Sequence, residues 1–480
     1  MNECTTVKDG PQETFTEYLV AAAQLPESGH TFSAPWLNLS SESKQTDRPS
    51  VDNPNKQIGS RNELPLAEKI RPPNVTYDPI SWSAFFKQGF AKMPIKNRLS
   101  DLHEEIVGWR RDIHAHPELR FKEHRTAALV ADKLRAFGCD EVATDVGRTG
   151  VVGVIHGRQN TADAVIGFRA DMDALPLQEA TGLPHASTYP GQMHACGHDG
   201  HTAMLLGAAK YLAETRNFDG TIVLVFQPAE EGGGGARAMI KDGLMDRWNI
   251  QEVYGMHNWP GIPVGQFAVR DGPQMAAADF FEIVVQGKGG HAALPHQAVD
   301  TTLAASHVVT AVQSIASRNI DPLKTAVVSI CGIRSDSNTF NIIPDKITLR
   351  GTARFLDPLV QEKIISGLSS LAENTAKAFG AQAEVIYTRC VPPTINTPEF
   401  AQRSADVAHT VSGDVIRDHD PVMPGEDFAD MLAERPGAFL FIGNGNSAEL
   451  HNPMYEFNDD AIPAGCSWFA EMAERRMPID

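Results

Sequence analysis

Residues 221–230 read TIVLVFQPAE, and the next residue is Glu231. Five consecutive apolar residues, Ile222 to Phe226, are separated by only three residues from two adjacent carboxylates. A short unbroken apolar run reads as a strand covered on both faces, the habit of parallel sheets packed between helices. Open α/β sheets place their sites at the carboxyl ends of such strands, which is where Glu230 and Glu231 fall. Two other runs end in the same way. AVIGFRAD (164–171) runs into Asp171 and Asp173, and VYGMHNWP (253–260) carries His257. Between the runs lie stretches with helical spacing, HRTAALVADKLRAFG (124–138) and HTAMLLGAAKYLAE (201–214). The alternation predicts an α/β fold with a central mixed sheet flanked by helices.

From about Asp279 the pattern changes to strand (FFEIVVQG), helix (VDTTLAASHVVTAVQSIA), strand (TAVVSICGI), strand (KITLRGTARF), helix (DPLVQEKIISGLSSLAENTAKAF) and strand (AEVIYTR). This βαββαβ order predicts a ferredoxin-like second domain inserted into the first. The other end of the chain differs again. Residues 1–92 are rich in Ser, Asn, Pro, Thr and Gln without sustained periodicity, and such a composition buries too little apolar surface to offset chain entropy. A disordered extension is expected there, with one aromatic patch, ISWSAFFKQGFAKM (80–93), able to dock as a short helix. Beyond Met93, itself a candidate initiator, Leu99, Leu102, Ile106 and Trp109 recur at helical spacing. The expected partition is therefore 1–92 extension, 93–278 first part of the catalytic domain, 279–389 insert, and 390–480 second part.

Composition narrows the function. Sixty acidic against 42 basic residues give a net charge of −18, which disfavours nucleic acid and anionic membranes as partners. The six cysteines are scattered without a CxxC pair, unlike the dense framework of a small secreted domain, so a reducing cytoplasm is expected. No apolar run reaches the roughly 20 residues of a membrane helix.

The chemistry concentrates in MHACGHDGH (193–201), which places Cys196 and His198 among His194, Asp199 and His201. Thiolate, imidazole and carboxylate are the ligand set of zinc and similar ions. FQPAEEGGGG (226–235) adds paired carboxylates followed by glycines that allow close backbone approach, so that one can bind metal while its neighbour serves as base. His257 in GMHNWP and His451 in ELHNP supply further imidazoles. Taken singly, each has a bland reading: paired glutamates are usually a solvated face, and lone histidines are usually structural. Their joint occurrence favours a metal site.

The motifs RRDIHAHPEL, RADMDALP, MHACGHDGHTAMLLGAA, FQPAEEGGGGA, GMHNWP, GKGGHAALPH, NIIPD and HNP follow one another along residues 96 to 475. In this order the chain resembles the hippurate hydrolase and N-acyl-amino-acid amidohydrolase branch of the aminoacylase-like dinuclear metallopeptidases. The resemblance implies two divalent ions, Zn, Mn, Co or Ni, held by Cys196, His198, Glu231, His257 and His451, with Cys196 as a thiolate near both. It implies Glu230 as general base, taking a proton from an activated water and returning it to the leaving amine. Asp173 would orient a ligand. Asp171 stands where other branches carry a ligand histidine, so its role is open, and His194, His201 and Asp199 are expected to be structural or supporting. In the insert, which would act as lid and dimerisation domain, His291 would stabilise the oxyanion, while Asn341 and Arg354 would contact substrate. A small N-acyl amino acid is the implied substrate, and a homodimer or homotetramer the implied assembly. Rival readings are an N-acetyl-diaminopimelate-type deacylase or dipeptidase of the same fold, a cysteine hydrolase using Cys196 with His198, and a non-catalytic binding protein.

Overall fold

In the computed structural model, residues 96–479 are described; the polar 1–92 stretch, its aromatic patch and Met93 lie outside them. The strands in chain order are β1 (Glu141–Val146), β2 (Gly150–His156), β3 (Val165–Asp171), β4 (Thr221–Gln227), β5 (Glu252–Trp259) and β6 (Phe267–Ala268). They continue with β7 (Ala278–Gln286), β8 (Ala326–Ser335), β9 (Lys346–Phe355), β10 (Gln382–Val391), β11 (Val415–Ile416) and β12 (Gly437–Gly443). The main helices are α1 (His103–Ala115), α2 (His124–Phe137), α3 (His198–Thr215), α4 (Thr301–Ser314), α5 (Pro358–Ala378), α6 (Pro398–Ser412) and α7 (Ile462–Arg476).

The TIVLVF run is β4, an inner strand of an eight-stranded sheet ordered β1-β2-β4-β3-β5-β12-β6-β11. Its side chains alternate between two cores: Ile222, Leu224 and Phe226 join the one beneath α3 and α7, whereas Val223 and Val225 join the other with Val152, Phe428 and Phe439. Covering both faces is what makes the run continuously apolar. β4, β3, β5 and β12 are mutually parallel, so their carboxyl ends open on one side of the sheet. β2 and β1 add antiparallel strands at one edge, which makes the sheet mixed, as its sequence led us to expect.

Leu99, Leu102, Ile106 and Trp109 are buried on Asn97–Asp101, α1 and the residue between them. Helix α3 is buried along most of its length and packs against α7 and α1. Its many small residues permit this closeness; a Cβ added at Gly207 would stand 2.6 Å from both Cys466 Sγ and Ile106 Cδ1.

The chain leaves this sheet to form a second, four-stranded one ordered β8-β9-β7-β10, with every adjacent pair antiparallel. Crossovers α4 and α5 cover one face, where Phe281, Ile283, Val285, Leu349 and Phe355 meet Val308, Ile364 and Leu368 in a core of their own. The opposite residues of β7 face away from this core, with Phe280 exposed and Glu282 half-buried. One covered face explains why β7 and β9 alternate in burial where β4 does not. After β10 the chain returns, and Thr394–Asn396 pairs with Gly272–Met275 just ahead of β7.

Candidate metal centre

The centre is built where β3, β4 and β5 end. Gly197, at a φ of 88°, turns the chain into α3, and an added Cβ would collide with Asn258 Oδ1, so this position requires glycine. The turn sets Cys196 just before the helix and His198 on its first residue. Glu230 and Glu231 lie in the turn after β4, and His257 lies within β5. His451 arrives from the segment after β12; its backbone N–H donates to Ala195 O at 2.7 Å, and its own φ is 61°.

Two sets of three donors result, Cys196–His198–His257 and Cys196–Glu231–His451, each with its ligand atoms within 4.8 Å of one another. Cys196 belongs to both. Glu230 falls in a third set with His198 and Glu231, beside the other two. The histidines are pre-oriented. His198 Nδ1 hydrogen-bonds to Asp173 O at 2.8 Å, and its buried Nε2 has no hydrogen-bond partner. His257 Nδ1 donates to Asn258 O at 2.7 Å, which turns its Nε2 to within 3.4 Å of Cys196 Sγ. Fixing one ring nitrogen against a carbonyl frees the other as a ligand, the usual arrangement around bound metals. His451 Nε2 stands 3.2 Å from Glu231 Oε1. An orphaned buried nitrogen, a soft sulfur shared by two donor sets and a facing carboxylate fit a pair of divalent ions.

The two adjacent carboxyls differ electrostatically. Burial pushes Glu230 well above the usual carboxylate range, and Glu426, Glu231 and Asp427 add to this. Burial also acts against Glu231, but His451 and His198 hold it below that range. Neighbouring groups pushed in opposite directions divide naturally into base and ligand. Burial, then Glu231 and Glu230, raise the Cys196 thiol well above its ordinary value. A reactive cysteine has the opposite environment, and a bound cation would make this sulfur a thiolate.

Asp173 receives the backbone N–H groups of Glu230 and Glu231 on its two carboxylate oxygens, each at 3.0 Å, and its carbonyl holds His198. Asp171 is 2.7 Å from His201 Nδ1, accepts Arg169 Nη1 at 2.8 Å, and stands 3.7 Å from His198 Nε2. His201 hydrogen-bonds Asp171 and Asn258, so both its nitrogens are engaged. His194 is buried with neither ring nitrogen hydrogen-bonded. The remaining candidates, His291, Asn341 and Arg354, lie outside the eight-stranded sheet. His291 pairs with Ile342 across the short strands Gly290–His291 and Ile342–Ile343, and Asn341 O accepts from Ala292 at 2.9 Å. Both are exposed on the insert. Arg354, on β9, contacts Thr352 Oγ1 and the Phe280 ring and joins none of the donor sets.

Two buried networks behind the centre have no signature in the sequence. Arg169 is 2% exposed, yet it binds Asp171, Glu426 and Asp427, and Glu426 and Asp427 form a set with Glu230. Burying a guanidinium is costly unless several carboxylates surround it, and their convergence from distant segments is a tertiary fact. On the other side of α3, Asp199 binds His114 Nδ1 at 2.8 Å and Arg110 Nη1 at 3.2 Å.

Burial lowers His114, but Asp199 outweighs it and raises the imidazole from 6.5 to about 9. The folded protein therefore binds this proton more tightly than the unfolded chain. The associated stability, on the order of 3 kcal/mol, is complete below pH 6.5 and lost as pH rises through 9. Denaturant titrations should show wild-type stability declining across that window. His114→Gln should start lower and lack the decline; a parallel decline in the variant would refute the assignment.

The model of peptidase family M20/M25/M40 matches residues 167–475. The hippurate hydrolase of Campylobacter jejuni is 43% identical over 375 residues, covering 78% of this chain and 97% of that protein. The N-acetyl-L-cysteine deacetylase of Bacillus subtilis is 40% identical over 378 residues, covering 78% and 89%. Among solved structures, the Bacillus subtilis YXEP protein, described as a dinuclear metal binding peptidase, superposes with a TM-score of 0.70 at 34% identity, covering 79% of this chain and 99% of that one.

Proposed function

The chain belongs to peptidase family M20/M25/M40 and is a metal-dependent amidohydrolase, and from that premise we propose that it cleaves the amide bond of hippurate-like N-acyl amino acids, releasing a carboxylic acid and a free amino acid. One observation carries the residue assignment: Cys196 is common to two donor sets, while Glu230 lies beside them with its carboxyl raised by burial. In this reading Cys196, His198, Glu231, His257 and His451 hold two divalent ions, for which the mixed sulfur, nitrogen and oxygen donors suit Zn, Mn, Co or Ni. The ions supply Lewis acidity for water and amide carbonyl. Glu230 takes the proton of the attacking water and delivers it to the departing amine nitrogen. Asp173 fixes the turn that carries Glu230. Residues 93–278 and 390–480 are read as the catalytic body and 279–389 as a lid, whose His291, Asn341 and Arg354 meet the substrate, with His291 on the oxyanion.

A homodimer or homotetramer through the lid is supported by β8, an edge strand with Val327 and Ile333 exposed. Among the described residues Cys139, Cys196, Cys331 and Cys466 are free thiols, which suits a cytoplasmic enzyme. Among the described residues no helix is long and apolar enough to cross a membrane.

A panel of N-benzoyl, N-acetyl and indole-acyl amino acids, N-acetyl-diaminopimelate and free dipeptides, assayed after reconstitution with each metal, tests the substrate class. N-benzoylglycine and its relatives should give the highest kcat/KM. Preference for dipeptides with a free amine would replace this reading with the dipeptidase one.

A further inference from the structure

The turn that carries Glu230 is held from below by a second carboxylate that its sequence does not announce. Ala229 sits at a φ of 52°, a left-handed conformation that alanine resists because its Cβ crowds the following carbonyl. Its N–H donates at 3.0 Å to Glu123 Oε1, which also accepts the Phe121 N–H at 2.9 Å. Glu123 Oε2 is held in turn by Thr149 Oγ1 at 2.5 Å. Glu123, Thr149 and Ala229 are all buried. The next two N–H groups, of Glu230 and Glu231, go to Asp173. Three successive N–H groups thus converge on two carboxylates, and such a concave run of amides has one backbone shape. The segment around Glu123 reinforces it, since Arg120 Nη1 donates to Glu231 O at 2.8 Å.

We infer that Glu123 is a positioning residue for hydrolysis: by holding Ala229 in the left-handed region it aims the Glu230 carboxyl at the reacting water while Glu231 faces His451. This inference rests on the reading of Glu230 as base. Without the Glu123 acceptor, Ala229 is free to return to an ordinary conformation, and the turn that aims Glu230 shifts with it. A misplacement of about 1 Å costs roughly 10²-fold in rate.

The test is a double-mutant cycle between Glu123 and Ala229, read as kcat, KM and metal content. Glu123→Ala should lower kcat by roughly 10- to 100-fold with little change in KM. Adding Ala229→Gly to that variant should recover roughly 5- to 30-fold, because glycine takes the left-handed conformation without assistance. Glu123→Gln, which can still accept from Ala229, should stay close to wild type. If Glu123→Ala does not fold, Glu123→Asp keeps the charge but shortens the reach, and the same recovery by Ala229→Gly is expected there. Absence of recovery in the background that folds, or a loss confined to KM, would overturn the proposal. A Glu230→Gln enzyme that stayed active would instead overturn the base assignment, so the two failures are separable.

Discussion

Glu230→Gln is expected to lower kcat by roughly 10²–10⁴-fold, the range attributable to general acid–base catalysis, while metal stoichiometry stays at the wild-type value. The amide keeps the shape of the side chain and removes only its capacity to carry the proton. Metal should remain because the donors of both sets that share Cys196 are untouched. Stability should hold or rise, since the carboxyl that is lost is buried and crowded by Glu426, Glu231 and Asp427. Rate and metal content measured on one preparation decide the matter. Near-normal turnover would remove Glu230 from the mechanism, and a parallel loss of metal would make it a ligand.

The second large effect is expected at the shared sulfur. Cys196→Ser exchanges a soft, ionisable ligand for a neutral hydroxyl in the position common to both donor sets. Both ions should therefore bind more weakly, and activity should fall with metal content and return in part at excess metal. The rival mechanism makes contrary predictions. The imidazole at the thiol is that of His257, at 3.4 Å, and not His198, whose Nδ1 is engaged by Asp173 O. If Cys196 were a nucleophile activated by that imidazole, the serine variant would keep its metal, chelators would not inhibit, and alkylation would inactivate the metal-loaded enzyme. The raised thiol favours the first outcome, because a neutral buried thiol is a poor nucleophile.

Several features were legible in the sequence because they depend on local pattern. The β4 run is apolar throughout because both its faces are covered, and β7 and β9 alternate because one face is. Those periodicities separate the eight-stranded sheet from the four-stranded one before any contact is known. The residues that meet at the centre were also legible as types: a cysteine, histidines and paired glutamates stand at strand ends or in turns beside them. Their linear order, however, cannot say that Cys196 serves two donor sets or that His257 is the imidazole nearest its sulfur.

What tertiary structure alone decided is electrostatic and conformational. Arg169 and Glu426 are 257 residues apart, yet they form a buried pair beside Glu230, and neither the pairing nor its effect on Glu230 has a local signal. Asp171, whose role the sequence left open, and His201, expected to be supporting, hydrogen-bond to each other, and Asn258 occupies the remaining histidine nitrogen. Glu123 reads as one more charge before a helix, until the fold brings Ala229 onto it. Periodicity and residue type are properties of neighbours along the chain, so the sequence could determine the elements and offer candidate donors. Proton affinity and backbone strain depend on groups that only folding brings together.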